Sequence, residues 1–231
     1  MDAQPLLALW LGRVPYRPAF ELQQLVAQLR AEERLSDVLL LLEHDHVYTL
    51  GRRASEAEIL LDEEALASRG IAVERTDRGG QVTYHGPGQL VGYPIVRIGP
   101  KDLAGYVRAL ERAMIAVAAD FGVEARAVEG LPGIWAGDRK VGAIGIHVAR
   151  GITTHGFALN VNTDLAMFNG IVPCGIVDRG VTSLAELAGR EIPMQHVVRA
   201  TITRVGEAIG ARSVVEADPA DLGLEISGVG G

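Results

Sequence analysis

The sequence predicts an α+β fold, a mixed or antiparallel sheet packed with helices. Three observations predict it. Short β-branched runs recur in hairpin-like pairs joined by Gly turns, not singly between helices as a regular βαβ chain would place them. Helical-period segments stand at scattered positions between those runs. The chain of 231 residues, 48% hydrophobic, is long enough for a substantial apolar core and has no low-complexity linker or internal repeat. One domain is expected over residues 1–231, with a structured core over 6–215 and a frayed Gly-rich tail over 216–231.

In chain order, PLLALWLG (5–12) reads as a buried strand, and AFELQQLVAQLRAEERL (19–35) as an amphipathic helix with its charges gathered at the end. DVLLLLEHDHVYTLG (37–51) is a strand, a polar break and a second strand. LDEEALASRG (61–70) is a helix with Asp62 as N-cap and Gly70 at its C-terminal end. IAVERT, GQVTYHG and QLVGYPIVRI then give β signals separated by Gly or Pro, and 102–122 returns to helix. VEARAV, GIWAG, KVGAIGIHVA and THGFALNVN are strands joined by short turns, and two helices follow near 183–189 and 194–210.

A formal charge of -7 without a long Lys/Arg run excludes nucleic acid as a first expectation, because phosphate binding needs dense positive charge. No apolar run approaches the roughly 20 residues that cross a bilayer, so no membrane partner is expected. One cysteine cannot form an intramolecular disulfide, and the N-terminal residues lack a basic n-region and an h-region of signal-peptide length; a cytoplasmic location is expected. The basic residues include only two lysines, Lys101 and Lys140. Genome-wide codon bias accounts for such a composition; a lysine that persists can also sit where Arg cannot serve, since guanidinium never deprotonates in a protein and ammonium can.

Three stretches and a scattered set of histidines could carry chemistry. DRGGQVTYHGPGQL (77–90) sets glycines and a proline beside Arg78, Thr83 and His85; the pattern fits either a pair of β-turns or a loop where backbone approaches a ligand closely. GDRKVGAIGIHVARG (137–151) reads as a turn at Gly137 and Asp138 followed by a strand with Lys140 near its start. The small residues Gly142, Ala143 and Gly145 along it leave room for a slender apolar ligand. Cys174 lies between Pro173 and Gly175, on a bend that would project a nucleophile, although lone cysteines also serve as small buried hydrophobes. His44, His46, His85, His147 and His155 offer a zinc site or a Cys–His pair as rival constellations.

RGGQVTYHGPGQL, RKVGAIGIHV, THGFALNVN and IVPCGIVDRGVTSL together, in this order and over about residues 6–205, resemble the octanoyltransferase family of lipoate biosynthesis. The resemblance implies a fold similar to the catalytic domains of biotin and lipoate ligases. It implies transfer of an octanoyl group from acyl carrier protein to a lysine of lipoyl domains, such as those of 2-oxoacid dehydrogenases and the glycine cleavage H protein, with no cofactor and no metal. Cys174 becomes the thioester-forming nucleophile and Lys140 its activating base. The substrate-contacting segments become Arg78, Gly79, Gly80, Gln81, Val82, Thr83, Tyr84 and His85; Ala143, Ile144 and Gly145; and Gly156, Phe157 and Ala158. Oxyanion donors are expected around Cys174 or at the Gly79 and Gly80 amides. The family's partners are acidic, so a local basic patch is expected among Arg52, Arg53, Arg75, Arg78, Arg139 and Arg150. The runner-up is an ATP-dependent lipoate or biotin-type ligase, which shares the fold and does not need the cysteine; an acyl-carrier-binding module without turnover is the non-enzymatic alternative.

Overall fold

The structure is a computed structural model that describes residues 5–99, 102–172 and 180–224. Among these residues an eight-stranded sheet forms the floor of the molecule. Its strands are β1 (Leu6–Arg13), β2 (Val38–Glu43), β6 (Gln89–Ile95), β7 (Arg126–Val128), β8 (Leu131–Ala136), β9 (Arg139–Ala149), β10 (Ile152–Asn160) and β11 (Val214–Glu216), in the order β11-β1-β2-β6-β10-β9-β8-β7. The β11, β1 and β2 strands are parallel, and every pairing from β2 to β7 is antiparallel. A second sheet pairs β3 (Val47–Leu50) in parallel with β4 (Ala72–Arg75) and antiparallel with β5 (Val82–His85). The sheet is therefore mixed, as the hairpin-rich pattern predicts.

Each face of the large sheet has its own apolar layer. On β2, Leu39 and Leu41 enter a core shared with α3 (Leu103–Asp120) and α5 (Met194–Ala208), while Leu40 and Leu42 enter a second core beneath α1 (Tyr16–Ala31). Coverage on both faces explains why β2 reads as a continuous apolar run and not as an alternation. A third, smaller cluster of Tyr48, Ile71, Val82, Tyr84 and Ile171 backs the small sheet.

The boundaries differ from expectation where local chemistry decides them. The first helix starts at Tyr16, not Ala19, because Pro18 falls in the first turn, where a missing N–H forfeits no helical bond. It ends at Ala31, and Glu33 with φ 59° turns the chain away before the expected end at Leu35. The short α2 (Glu63–Ser68) keeps its expected cap, Asp62, which accepts from the Ala65 amide at 2.8 Å. The short edge strand β11 and the 3-10 turn Leu165–Gly170 were not expected; each is too brief to set up a period. The helix expected near 183–189 is α4 (Leu184–Ala188), capped by Ser183.

Candidate active site

A cavity of about 360 Å³ lies between the two sheets. Its roof is the segment 78–81, which leads into β5. The Arg78 guanidinium, buried to 7% exposure, donates to the Thr49 carbonyl at 2.6 Å and to the Thr49 hydroxyl at 2.8 Å, and reaches the Gly79 carbonyl at 3.0 Å. The Gly79 amide donates to the Ile146 carbonyl of β9 at 3.0 Å. On the outer side, the Arg52 and Arg53 amides donate to the Arg78 and Gly80 carbonyls, both at 3.1 Å. Two glycines make this close layering possible. A Cβ on Gly51 would stand 2.6 Å from the Gly80 carbonyl oxygen, and one on Gly145 would stand 3.0 Å from the Gly79 carbonyl oxygen.

The floor is made by β6, β9 and β10. In the register Gly145↔Gly156 and Ala143↔Ala158, small residues face one another across the β9–β10 pair. Arg78, Gly79, Gly80, Gln81, Val82, Thr83, His85, Lys140, Ala143, Ile144, Gly145, Gly156, Phe157 and Ala158 all line this one cavity. Tyr84 does not. Strand alternation turns its ring into the core behind the small sheet, where its hydroxyl meets His46 Nδ1 at 2.8 Å. The Gly79 amide, expected as an oxyanion donor, is spent on Ile146, whereas the Gly80 amide has no hydrogen-bond partner among the described residues. Cys174 lies outside the described residues.

Lys140 opens β9. Its Nζ sits 4.8 Å from the centroid of the buried Trp135 ring. Its amide donates to the Gly180 carbonyl and its carbonyl accepts from the Thr182 amide, each at 2.9 Å. Gly180 and Val181 also line the cavity, as does Phe168 on the other side of the segment 173–179. The chain thus passes both before and after Cys174 through residues at the cavity wall.

A buried polar chain connects this corner to the roof strand. His85 Nδ1 lies 2.7 Å from Gln89 Oε1; Gln89 Nε2 donates to Asn160 Oδ1 at 2.9 Å; and Asn160 Nδ2 donates to the Thr182 carbonyl at 2.9 Å. Because both amide nitrogens are donors here, Gln89 Oε1 must accept, and His85 carries its proton on Nδ1. Burial pushes the His85 pKa well below its usual value, with His44 nearby adding to the effect, so the ring is neutral.

The other histidines are committed one by one. His44 is bonded to the Val14 carbonyl and the Tyr93 hydroxyl, both at 2.7 Å, and burial lowers its pKa to about 4. His155, with φ 55° inside β10, places Nε2 2.7 Å from Asp77 Oδ1, and that hydrogen bond holds the Asp77 carboxyl below its ordinary range. Among the described residues no three His, Cys, Asp or Glu side chains are grouped as metal ligands. The residues that sequence reasoning missed at the cavity include Tyr16, Gln89, Tyr93 and Asn160, while the sequence offers His155 only for a zinc site or a Cys–His pair. All but Tyr16 belong to, or directly flank, quoted motifs, and they carried no signal because buried polar pairing has no sequence period.

Among the described residues no helix is long and apolar enough to cross a membrane. The chain matches the lipoyl protein ligase A/B catalytic domain over residues 15–206. The octanoyltransferase of Solibacter usitatus is 49% identical over 199 residues, covering 85% of this chain and 86% of its own. That of Acidobacterium capsulatum is 44% identical over 237 aligned positions, covering 95% and 96%, and that of Mycolicibacterium gilvum is 48% identical over 216, covering 89% and 84%. The bipartite lipoate protein ligase of Thermoplasma acidophilum superposes with a TM-score of 0.72 at 21% identity, over 93% of this chain and 88% of that one, a likeness of fold. The chain therefore belongs to the lipoyl protein ligase A/B catalytic domain family, among its octanoyltransferases, and is an acyltransferase.

Proposed function

We propose that this protein takes an octanoyl group from acyl carrier protein onto Cys174 and passes it to a lysine of a lipoyl domain, with Lys140 as the base. The observation that carries the reading is the pairing of Lys140 with residues 180–182, directly after the segment that holds Cys174, at the wall of a narrow cavity. In the first step the Cys174 proton passes to Lys140, the sulfur attacks the thioester carbonyl, and the carrier thiolate leaves and is reprotonated. One thioester replaces another, so no ATP is needed. In the second step the acceptor amine attacks the acyl carbon, the C–S bond to Cys174 breaks, and the amine's proton returns to the sulfur through Lys140. The Gly80 amide is the roof donor suited to the oxyanion of each tetrahedral intermediate. An octanoyl chain buries about seven methylene-sized groups, on the order of 5 to 6 kcal/mol of binding at roughly 0.8 kcal/mol each.

The test is the mass of an apo-lipoyl domain incubated with the protein and octanoyl-acyl carrier protein. An octanoyl gain without ATP, absent in Cys174→Ala, is the expected result. Transfer that needs ATP and free octanoate and survives Cys174→Ala would make the protein a ligase.

A further inference from the structure

The arginines around the site are not equivalent. Arg78 is buried on Thr49, Arg75 is paired with Glu56 at 2.6 Å, and Arg139 is paired with Glu186. Arg52 and Arg53 are exposed and have no ion-pair partner among the described residues, and Arg53 lines the cavity. Their backbone is fixed to the roof by the amide bonds to Arg78 and Gly80. The carboxylate of Glu58, further along the same segment, is already taken by the Ser55 and Val82 amides and by Gln81 Nε2.

The same rim carries exposed apolar side chains. The antiparallel bridge between Ile59 and Ile171 turns Ile171 inward at 3% exposure, so Leu60 and Val172 share the outward face, at 59% and 37% exposure. Two guanidinia without an ion-pair partner among the described residues, near an exposed apolar pair tied to the roof through Glu58, match an anionic protein surface around an apolar contact. We infer that the rim formed by Arg52, Arg53, Leu60 and Val172 docks the anionic carrier protein that delivers the acyl chain, an inference that rests on the proposed transferase reading. The cavity then receives the chain while the carrier sits on the rim.

The test compares loading of the protein from octanoyl-acyl carrier protein and from octanoyl-pantetheine, which lacks the carrier's charge, in the wild type, an Arg52→Glu/Arg53→Glu double variant and Arg199→Glu on α5, a helix that lines no part of the cavity. The double variant is expected to lose about tenfold or more in loading from the carrier, as close charge reversal does, with loading from pantetheine unchanged; Arg199→Glu should match the wild type with both. Equal loss with both donors, or no loss with either, overturns the docking rim. If the wild type loads from neither donor, the transferase reading fails. Anisotropy of labelled octanoyl-acyl carrier protein then decides the rim alone: weaker binding by the double variant upholds it, and equal binding overturns it.

Discussion

Lys140 and Val181 are partners in a parallel β-bridge, flanked by hydrogen bonds of 2.9 Å from Lys140 to Gly180 and from Thr182 to Lys140. These residues are far apart in the chain, and the bridge fixes the start of β9 against the segment that follows Cys174. The strand also holds the ammonium near Trp135, on a half-buried side chain.

Lys140→Arg keeps a cation there and cannot accept a proton. Loading of octanoyl should fall by about a hundredfold or more, with a melting temperature close to the wild type's. Stopped-flow or quenched mass measurement of adduct formation checks this. A variant with wild-type loading and an unchanged pH profile would remove Lys140 from the base role.

Ala158→Leu narrows the cavity from the β10 side, opposite Ala143. Transfer of octanoyl should drop by about tenfold or more relative to butyryl, since a single methylene in an apolar pocket is worth at least that much. Rates measured with a series of acyl thioesters test it, and an equal loss at every length would dissociate this wall from the acyl chain. Gly145→Leu is a poorer probe than the sequence suggests, because its side chain would push directly on the Gly79 carbonyl and displace the roof.

Asn160→Ala breaks the chain from His85 to Thr182 and leaves Gln89 Nε2 and the Thr182 carbonyl short of a partner in the interior. The expected loss is about 1 to 3 kcal/mol of folding stability, read from the urea midpoint. A midpoint within error of the wild type would mean that water or neighbouring groups replace the amide.

Acid should destabilise the fold through its buried histidines. His44 titrates near the ordinary histidine value of 6.5 when unfolded, and burial lowers this to about 4 in the fold. Between those values the unfolded chain binds the extra proton, so stability is full above pH 6.5 and declines as pH falls toward 4, by about 3 kcal/mol for this one residue. His85 and His155, lowered by the same burial, act in the same direction. Urea unfolding across that range measures the slope; His44→Gln should flatten it, and an unchanged slope would assign the acid sensitivity elsewhere.

Much of this architecture was legible in the sequence because periodicity records burial. The β2 strand, the Asp62 cap and the paired strands of 140–162 follow from an apolar run, cap chemistry and Gly turns, whereas the division of β2 between two cores shows only in the fold. The Gly-rich stretch 77–90 reads as either β-turns or a loop that a ligand approaches; its backbone approaches β9, through the Gly79 amide and the Ile146 carbonyl. Tyr84 was misplaced because a continuous motif ignores strand alternation, which sends neighbouring side chains to opposite faces. Arg78 looked like a ligand-binding cation and is largely occupied by Thr49, a partner 29 residues away that only the fold supplies. The Gln89–Asn160 link joins positions 71 apart and has no local signature.

An acyl group carried on Cys174 is visible most directly in the intact mass of the protein after incubation with octanoyl-acyl carrier protein and no ATP. A hydroxylamine-sensitive octanoyl adduct on the wild type, absent from Cys174→Ser, is the expected result. No adduct on the wild type, or one of equal yield on Cys174→Ser, would contradict an acyl group on Cys174.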